Sequence, residues 1–152
     1  MKVIGVGNRW RRDDAVGLEV AARVRAAAPD GVEVLEREGE PVALLDAFDG
    51  ADAVVLVDAV SSGAPPGTLH RLDAVASALP GELFRRSTHH LGVPEAVELG
   101  RALGRLPSAV VVIGVEGGSW DAGEALSPPV AAAVGAAVDA VLEEVARCTS
   151  TR

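Results

Sequence analysis

Two runs, Ala53–Val60 (AVVLVDAV) and Ser108–Val115 (SAVVVIGV), are apolar almost without a break. A strand with one wet face alternates polar and apolar residues, and these do not. They predict central strands of a parallel sheet, covered by helices on both faces. Met1–Val6 reads as a third short buried strand and Val32–Leu35 as a fourth. Thr68–Leu72 is more polar and suits a sheet edge.

Helices are expected between the strands. Asp14–Ala28 places Val16, Val20 and Val24 at i, i+4 spacing, with Asp13 as its expected N-cap. Pro41–Phe48 begins on proline and puts Val42, Leu45 and Phe48 on one face. Pro94–Leu103 offers Val97, Leu99 and Leu103 to a core. Pro128–Arg147 closes the chain, with Ser127 able to cap it. Its apolar stripe is Val130, Val134, Ala137 or Val138, Val141 and Val145. Alternating strands and helices give an α/β fold. It is a three-layer α/β/α sandwich, phosphorylase/hydrolase-like, with a mostly parallel twisted sheet of about five strands. The 152 residues are expected to form one domain.

Composition narrows function by exclusion. The net charge of -8 disfavours non-specific nucleic-acid binding, which needs phosphate-neutralising Lys and Arg. No apolar run is long enough to span a bilayer. A single cysteine, Cys148, allows no intrachain disulfide and suits a reducing compartment. The expectation is a soluble cytoplasmic protein without membrane or nucleic-acid partners. Cys148 reads as structural or exposed, not nucleophilic.

The chemistry concentrates in three places. The first is GVGNRWRRDDAVG, Gly5–Gly17, after the first strand. Gly5 and Gly7 fill two places of a dinucleotide fingerprint, but Trp10 holds the third, where close helix–strand packing needs glycine. Glu36, after the second strand, could act as the ribose-binding acid, so a non-catalytic Rossmann-like nucleotide-binding domain is the alternative reading. Asp13 and Asp14 can serve as caps through the free N–H groups and macrodipole of a helix start. One cap suffices, and the other carboxylate then lies at the sheet edge where ligands gather. Asp58 ends the buried run AVVLVD and faces the same edge; as a turn-starter before Ser61-Ser62-Gly63 it has an equally ordinary explanation. His89 and His90 lie in STHHLGVP, before a helix start. Two carboxylates and one imidazole can hold a divalent cation such as nickel, zinc, cobalt or manganese, with positions left open for a substrate.

Read together and in order, these segments resemble the hydrogenase maturation peptidases. The shared pattern is Gly5, Gly7, Asn8, Asp13, Asp14 and Gly17, then Asp58-Ala59 with Pro66-Gly67-Thr68, then Ser87, His89 and Gly92. Gly114-Val115-Glu116 and Leu126-Ser127-Pro128 complete it. The resemblance implies an endopeptidase that removes the C-terminal extension of the nickel–iron hydrogenase large-subunit precursor after nickel insertion. It implies Asp14, Asp58 and His89 as the catalytic, metal-contacting trio. The nickel would be carried by the substrate, with cadmium or zinc able to occupy the site in vitro. Asn8, Trp10, Arg11, Gly39 and His90 are the expected substrate-binding residues, and a monomer is expected. A chaperone that keeps the trio without cleaving is a third reading.

Two departures from the pattern stand out. Arg9, Trp10, Arg11 and Arg12 occupy a loop where the family tends to carry apolar residues. With Arg85 and Arg86 these arginines are expected either to face the precursor or to be plain solvated charge. Glu38-Gly39-Glu40-Pro41 stands where the family often has small residues, which bears on substrate choice. Two routes to hydrolysis are open at this point. The metal can activate a water or the scissile carbonyl, or Asp14 or Asp58 can be the general base.

Overall fold

A computed structural model describes residues 1–86 and 91–151. Its element order is β1 (Lys2–Val6), a 3-10 turn (Arg12–Ala15), α1 (Val16–Ala27), β2 (Glu33–Arg37), α2 (Pro41–Phe48), β3 (Ala53–Val60), β4 (Leu69–Asp73), a 3-10 turn (Gly81–Phe84), α3 (Val93–Ala102), β5 (Ala109–Glu116) and α4 (Pro128–Ser150). The five strands form one sheet in the order β2-β1-β3-β5-β4. Four are parallel; β4 runs antiparallel to β5 at one edge, as its polarity suggests. The α/β class and the mostly parallel five-stranded sheet are therefore as the apolar runs require.

The core lies in two layers. Val3, Val55, Val57, Val111, Ile113 and Val115 meet Val16, Val20 and Val24 of α1 and Val130, Val134, Ala137, Val141 and Val145 of α4. The opposite face, with Ile4, Val54, Leu56, Val60, Val110 and Val112, packs on Leu44, Leu45 and Phe48 of α2 and Val93, Ala96 and Val97 of α3. Every residue of β3 is buried, as a strand covered on both faces must be.

Several local expectations change. Val42 is 53% exposed, because α2 turns Leu44, Leu45, Ala47 and Phe48 inward instead. Leu99 and Leu103 are exposed as well; the buried face of α3 is built from the smaller Ala96, Val97 and Gly100, which let the helix lie close. The cap of α2 is Glu40, whose carboxylate accepts from the Val42 and Ala43 N–H groups, both at 2.9 Å. Helix α1 starts at Val16, after a 3-10 turn, and its N-cap Ala15 has no side chain to cap with. Asp13 is therefore not its cap.

The sheet order places the reversal of direction between β1 and β3. From β1 the chain crosses through α1 to β2 on one side, while β3 and β5 lie on the other. A crevice opens at such a point, at the carboxyl ends of the strands. What keeps that crevice narrow is Gly17. A Cβ there would collide with the backbone oxygens of both Val57 and Val6. Gly5 and Gly7 are equally tight: a Cβ on Gly5 would strike Gly17, and one on Gly7 would strike the Asp14 carbonyl. The close-packing glycine that Trp10 displaces is thus found seven residues later. Trp10 itself points outward, 59% exposed.

Gly17→Ala forces backbone to move and is expected to cost about 3 kcal/mol or more. Gly135→Ala in α4, where nothing lies within 4 Å of the added methyl, should be neutral or stabilising by up to about 1 kcal/mol. Denaturant unfolding of both variants checks the contrast; equal effects would contradict this packing.

Candidate functional site

The loop from Gly7 to Ala15 delivers two aspartates to the same region with opposite duties. Asp13 is fully buried and turned toward the chain that follows β5. Its carboxylate accepts from the N–H groups of Gly118 (2.9 Å), Ser119 (2.8 Å) and Ser127 (2.7 Å), and from the Ser127 hydroxyl (2.7 Å). Ser127 stands at the N-cap of α4, yet its hydroxyl serves Asp13 and not its own helix. Asp13 thus clasps the β5–α4 connection to the first loop. The Gly117-Gly118-Ser119-Trp120 run belongs to this clasp. Side chains on Gly117 and Gly118 would collide with the Trp120 ring and Pro66 respectively.

Asp14 is 1% exposed and follows directly. Asp58 is 2% exposed and lies within β3, two residues before its end, opposite Gly114 of β5. The strand's alternation puts Asp58 on the face that carries Val54, Leu56 and Val60. Gly17 seats the start of α1 against Val57, so the two carboxylates meet at the reversal point. Burial pushes the Asp58 carboxyl well above the ordinary range, and the negative charge of Asp14 adds to the rise. The Ala59 N–H, 2.8 Å from Asp58 Oδ1, works in the opposite direction. Two acids desolvated together in a crevice are poor structural elements and good ones for binding a cation or moving a proton.

Arg11 reaches across this arrangement. Its Nε donates to the Trp120 carbonyl at 3.1 Å and one terminal nitrogen donates to the Arg86 carbonyl at 3.1 Å. The same nitrogen lies 4.0 Å from Asp14 Oδ2. Arg11 is therefore drawn inward, with 29% of its side chain exposed, while Arg9, Arg85 and Arg86 are open to solvent. The five arginines do not act as one outward-facing set. His89 and His90 lie outside the described residues.

Of the remaining expected positions, Asn8 and Trp10 share a cleft beside Glu36 and Glu38. Asn8 Oδ1 accepts from the Trp10 N–H at 2.9 Å and fixes the loop. Trp10, Leu18, Leu126 and Arg9 line a cleft of about 370 Å³ beside α1. Gly39 is buried between β2 and α2 with φ 105°, a conformation that favours glycine. Glu36 is occupied by Arg25 (3.3 Å) and Arg9 (3.8 Å), which weakens its case as a ribose ligand.

Glu116, named from the sequence only as part of a shared motif, proves to be a buried acid with a structural duty. Glu116 ends β5 at 1% exposure and holds the chain after β3. It accepts from the Ser62 N–H at 2.8 Å, the Ala64 N–H at 3.2 Å and the Ser62 hydroxyl. His70 Nε2 stands 3.6 Å away. The signal was present: VVVIGVE closes a buried run on an acid just as AVVLVD does.

Asp13→Ala removes the acceptor of four hydrogen bonds and should destabilise by about 3 kcal/mol, against about 1 kcal/mol for Ser127→Ala, both read from thermal or denaturant unfolding. Asp58 gives the opposite sign. Its raised pKa means that the folded chain holds a proton the unfolded chain releases. That favourable contribution is complete at acid pH and disappears as pH rises from about 3.9 through the folded value. Asp58→Asn should raise Tm at pH 7.5 by about 2–4 °C and by less at pH 4.5. A shift independent of pH would contradict the burial of an ionisable pair.

Comparison with known proteins gives a consistent result. A family model described as hydrogenase maturation protease matches residues 18–144. The Escherichia coli (strain K12) hydrogenase 2 maturation protease is 30% identical over 145 residues, covering 92% of this chain and 87% of that protein. The hydrogenase expression/formation protein HupD of Thiocapsa roseopersicina is 29% identical over 150 residues, covering 95% of this chain and 67% of that protein. Among solved structures, the E. coli hydrogenase maturating endopeptidase HybD superimposes with a TM-score of 0.81 at 27% identity, over 97% of this chain and 92% of its own. The [NiFe] hydrogenase maturation protease HycI of Thermococcus kodakarensis KOD1 gives 0.71 at 26% identity, over 93% and 89%.

Proposed function

The chain belongs to the hydrogenase maturation protease family, and from that premise we propose that it removes the C-terminal extension of a nickel–iron hydrogenase large-subunit precursor, reading the precursor's nickel through Asp14, Asp58 and His89. It is a peptidase. The observation that carries the finer reading is the pair Asp14 and Asp58, buried at 1% and 2% exposure where the sheet reverses. The charge of Asp14 raises the cost of ionising Asp58, and an arriving cation offsets that cost. Oxygen donors suit nickel, and an imidazole from His89 would complete a mixed oxygen–nitrogen set. Nickel enters as part of the substrate, so its presence marks a precursor ready to be cut.

The geometry supports a carboxylate as the base. Asp58 is buried beside Asp14 and accepts the Ala59 N–H at one oxygen, which leaves the carboxylate able to take a proton from water. Asp14, next to Asp13 in the first loop, would then face the metal. In this reading the mechanism is aspartic in type, with the nickel positioning the peptide. The nucleotide-binding alternative is disfavoured by the family membership and by the engagement of Glu36 with two arginines.

No helix among the described residues is long and apolar enough to cross a membrane. We place the reaction in the cytoplasm, where the precursor would be met before export or assembly, and take the protein to act as a monomer.

The test is the precursor's intact mass. Nickel-loaded large-subunit precursor from the same genome, incubated with the wild type, should lose a C-terminal peptide. Nickel-free precursor should not. Asp14→Asn, Asp58→Asn and His89→Ala should each slow cleavage by about 100-fold or more while remaining folded. Cleavage that ignores nickel, or that survives all three substitutions, would overturn the assignment.

A further inference from the structure

The contacts of Arg11 have a consequence for metal selection, which rests on the reading of Asp14 and Asp58 as cation-facing groups. We propose that Arg11 is the resident counter-ion of Asp14 in this crevice, so that the site captures free divalent ions poorly and favours a cation already fixed in a polypeptide.

Two aspartates, each nearly inaccessible, face one crevice. Two carboxylates so placed offer a divalent cation a partial oxygen shell. A protease meant to inspect nickel bound in another protein must keep that shell free, since a stray ion would occupy the place where the precursor's nickel has to fit. A fixed positive charge at the mouth lowers the affinity for every free cation. A precursor offsets that loss with its own polypeptide contacts; a free ion cannot.

Arg11 is built for the role. Its side chain does not drift at the surface: the Trp120 and Arg86 carbonyls, each at 3.1 Å, hold the guanidinium on two sides. Trp120 follows β5 in the connection clasped by Asp13. Arg86 is the last described residue before position 87, on the segment that leads toward His89. With these anchors the charge stays 4.0 Å from Asp14 Oδ2. That is beyond a short, saturating ion pair and near enough for a strong field. An arginine also remains charged at any physiological pH, so the guard does not switch off. The strained backbone next door, Arg12 at φ 41°, fits a loop shaped to turn Arg11 inward.

Titration calorimetry with nickel chloride tests this in the apo protein. The wild type should bind the ion weakly. Arg11→Gln, which removes the charge but keeps an amide donor for one carbonyl, should bind about tenfold more tightly. Arg11→Lys, which keeps the charge, should stay near the wild type. Adding Asp14→Asn to Arg11→Gln should abolish the gain. Melting curves establish that each variant is folded. Equal or weaker nickel binding by folded Arg11→Gln overturns the inference, as does an equal gain in Arg11→Lys, which would point to lost hydrogen bonds and not lost charge. If none of the proteins binds the ion, the inference falls. The precursor-cleavage assay then decides separately whether the assignment of Asp14 falls with it: unimpaired cleavage by Asp14→Asn overturns that assignment, and lost cleavage leaves it standing.

Discussion

The seating of α1 on the ends of β1 and β3 is the contact on which the site depends. Gly17 has no side chain because the carbonyl oxygens of Val6 and Val57 occupy the space one would need. Gly5 and Gly7 extend the same constraint toward Ala21 and Asp14. Three glycines therefore fix how near the first helix comes to the sheet. That distance decides whether a carboxylate at the head of the helix and one within β3 share a crevice. Local flexibility is not what these glycines supply; they permit approach.

Around that contact, acids are divided by what surrounds them. Asp13 and Glu116 are buried and satisfied by several backbone N–H groups and a serine hydroxyl each, so they act as fasteners for the connections after β5 and β3. Asp58 receives one backbone N–H and a like charge as neighbour, and its carboxyl is driven upward. Equal burial thus yields opposite roles. Hydrogen-bond donors aimed at a carboxylate make it structural, and their scarcity leaves its chemistry available. The fasteners also serve the site: Asp13 ties down the backbone that immediately precedes Asp14, while Trp120, in the connection it clasps, offers the carbonyl that orients Arg11.

The sheet was legible in the sequence because fully covered strands leave an unmistakable mark. AVVLVDAV and SAVVVIGV cannot be half-wet, and both are central parallel strands. Valines at i, i+4 in Val16–Val24 and Val130–Val145 likewise reported true buried stripes. The helix faces of α2 and α3 were less legible. Val42, Leu99 and Leu103 are apolar but outward, since close packing favoured Ala96, Val97 and Gly100 over larger side chains. Residue type also hid the division of labour among the acids. Asp13 and Ser127 look like caps from sequence, but each finds the other across the fold, more than a hundred residues away. Long-range partners of that kind leave no local pattern. The placing of Arg11 was hidden for the same reason: from sequence a loop arginine in an acidic chain can equally face a partner or the solvent, and only the fold shows the carbonyls of Trp120 and Arg86 holding it.

The account reduces to one claim, that the carboxylates of Asp14 and Asp58 touch the nickel of the precursor. Anomalous diffraction at the nickel edge, from crystals of nickel-loaded precursor bound to the Asp58→Asn protein, locates the ion without reference to activity. The account predicts nickel in the crevice between β1 and β3, within bonding distance of Asp14 and beside residue 58. Nickel seated elsewhere on the protein surface, with Asp14 turned away from it, would contradict it.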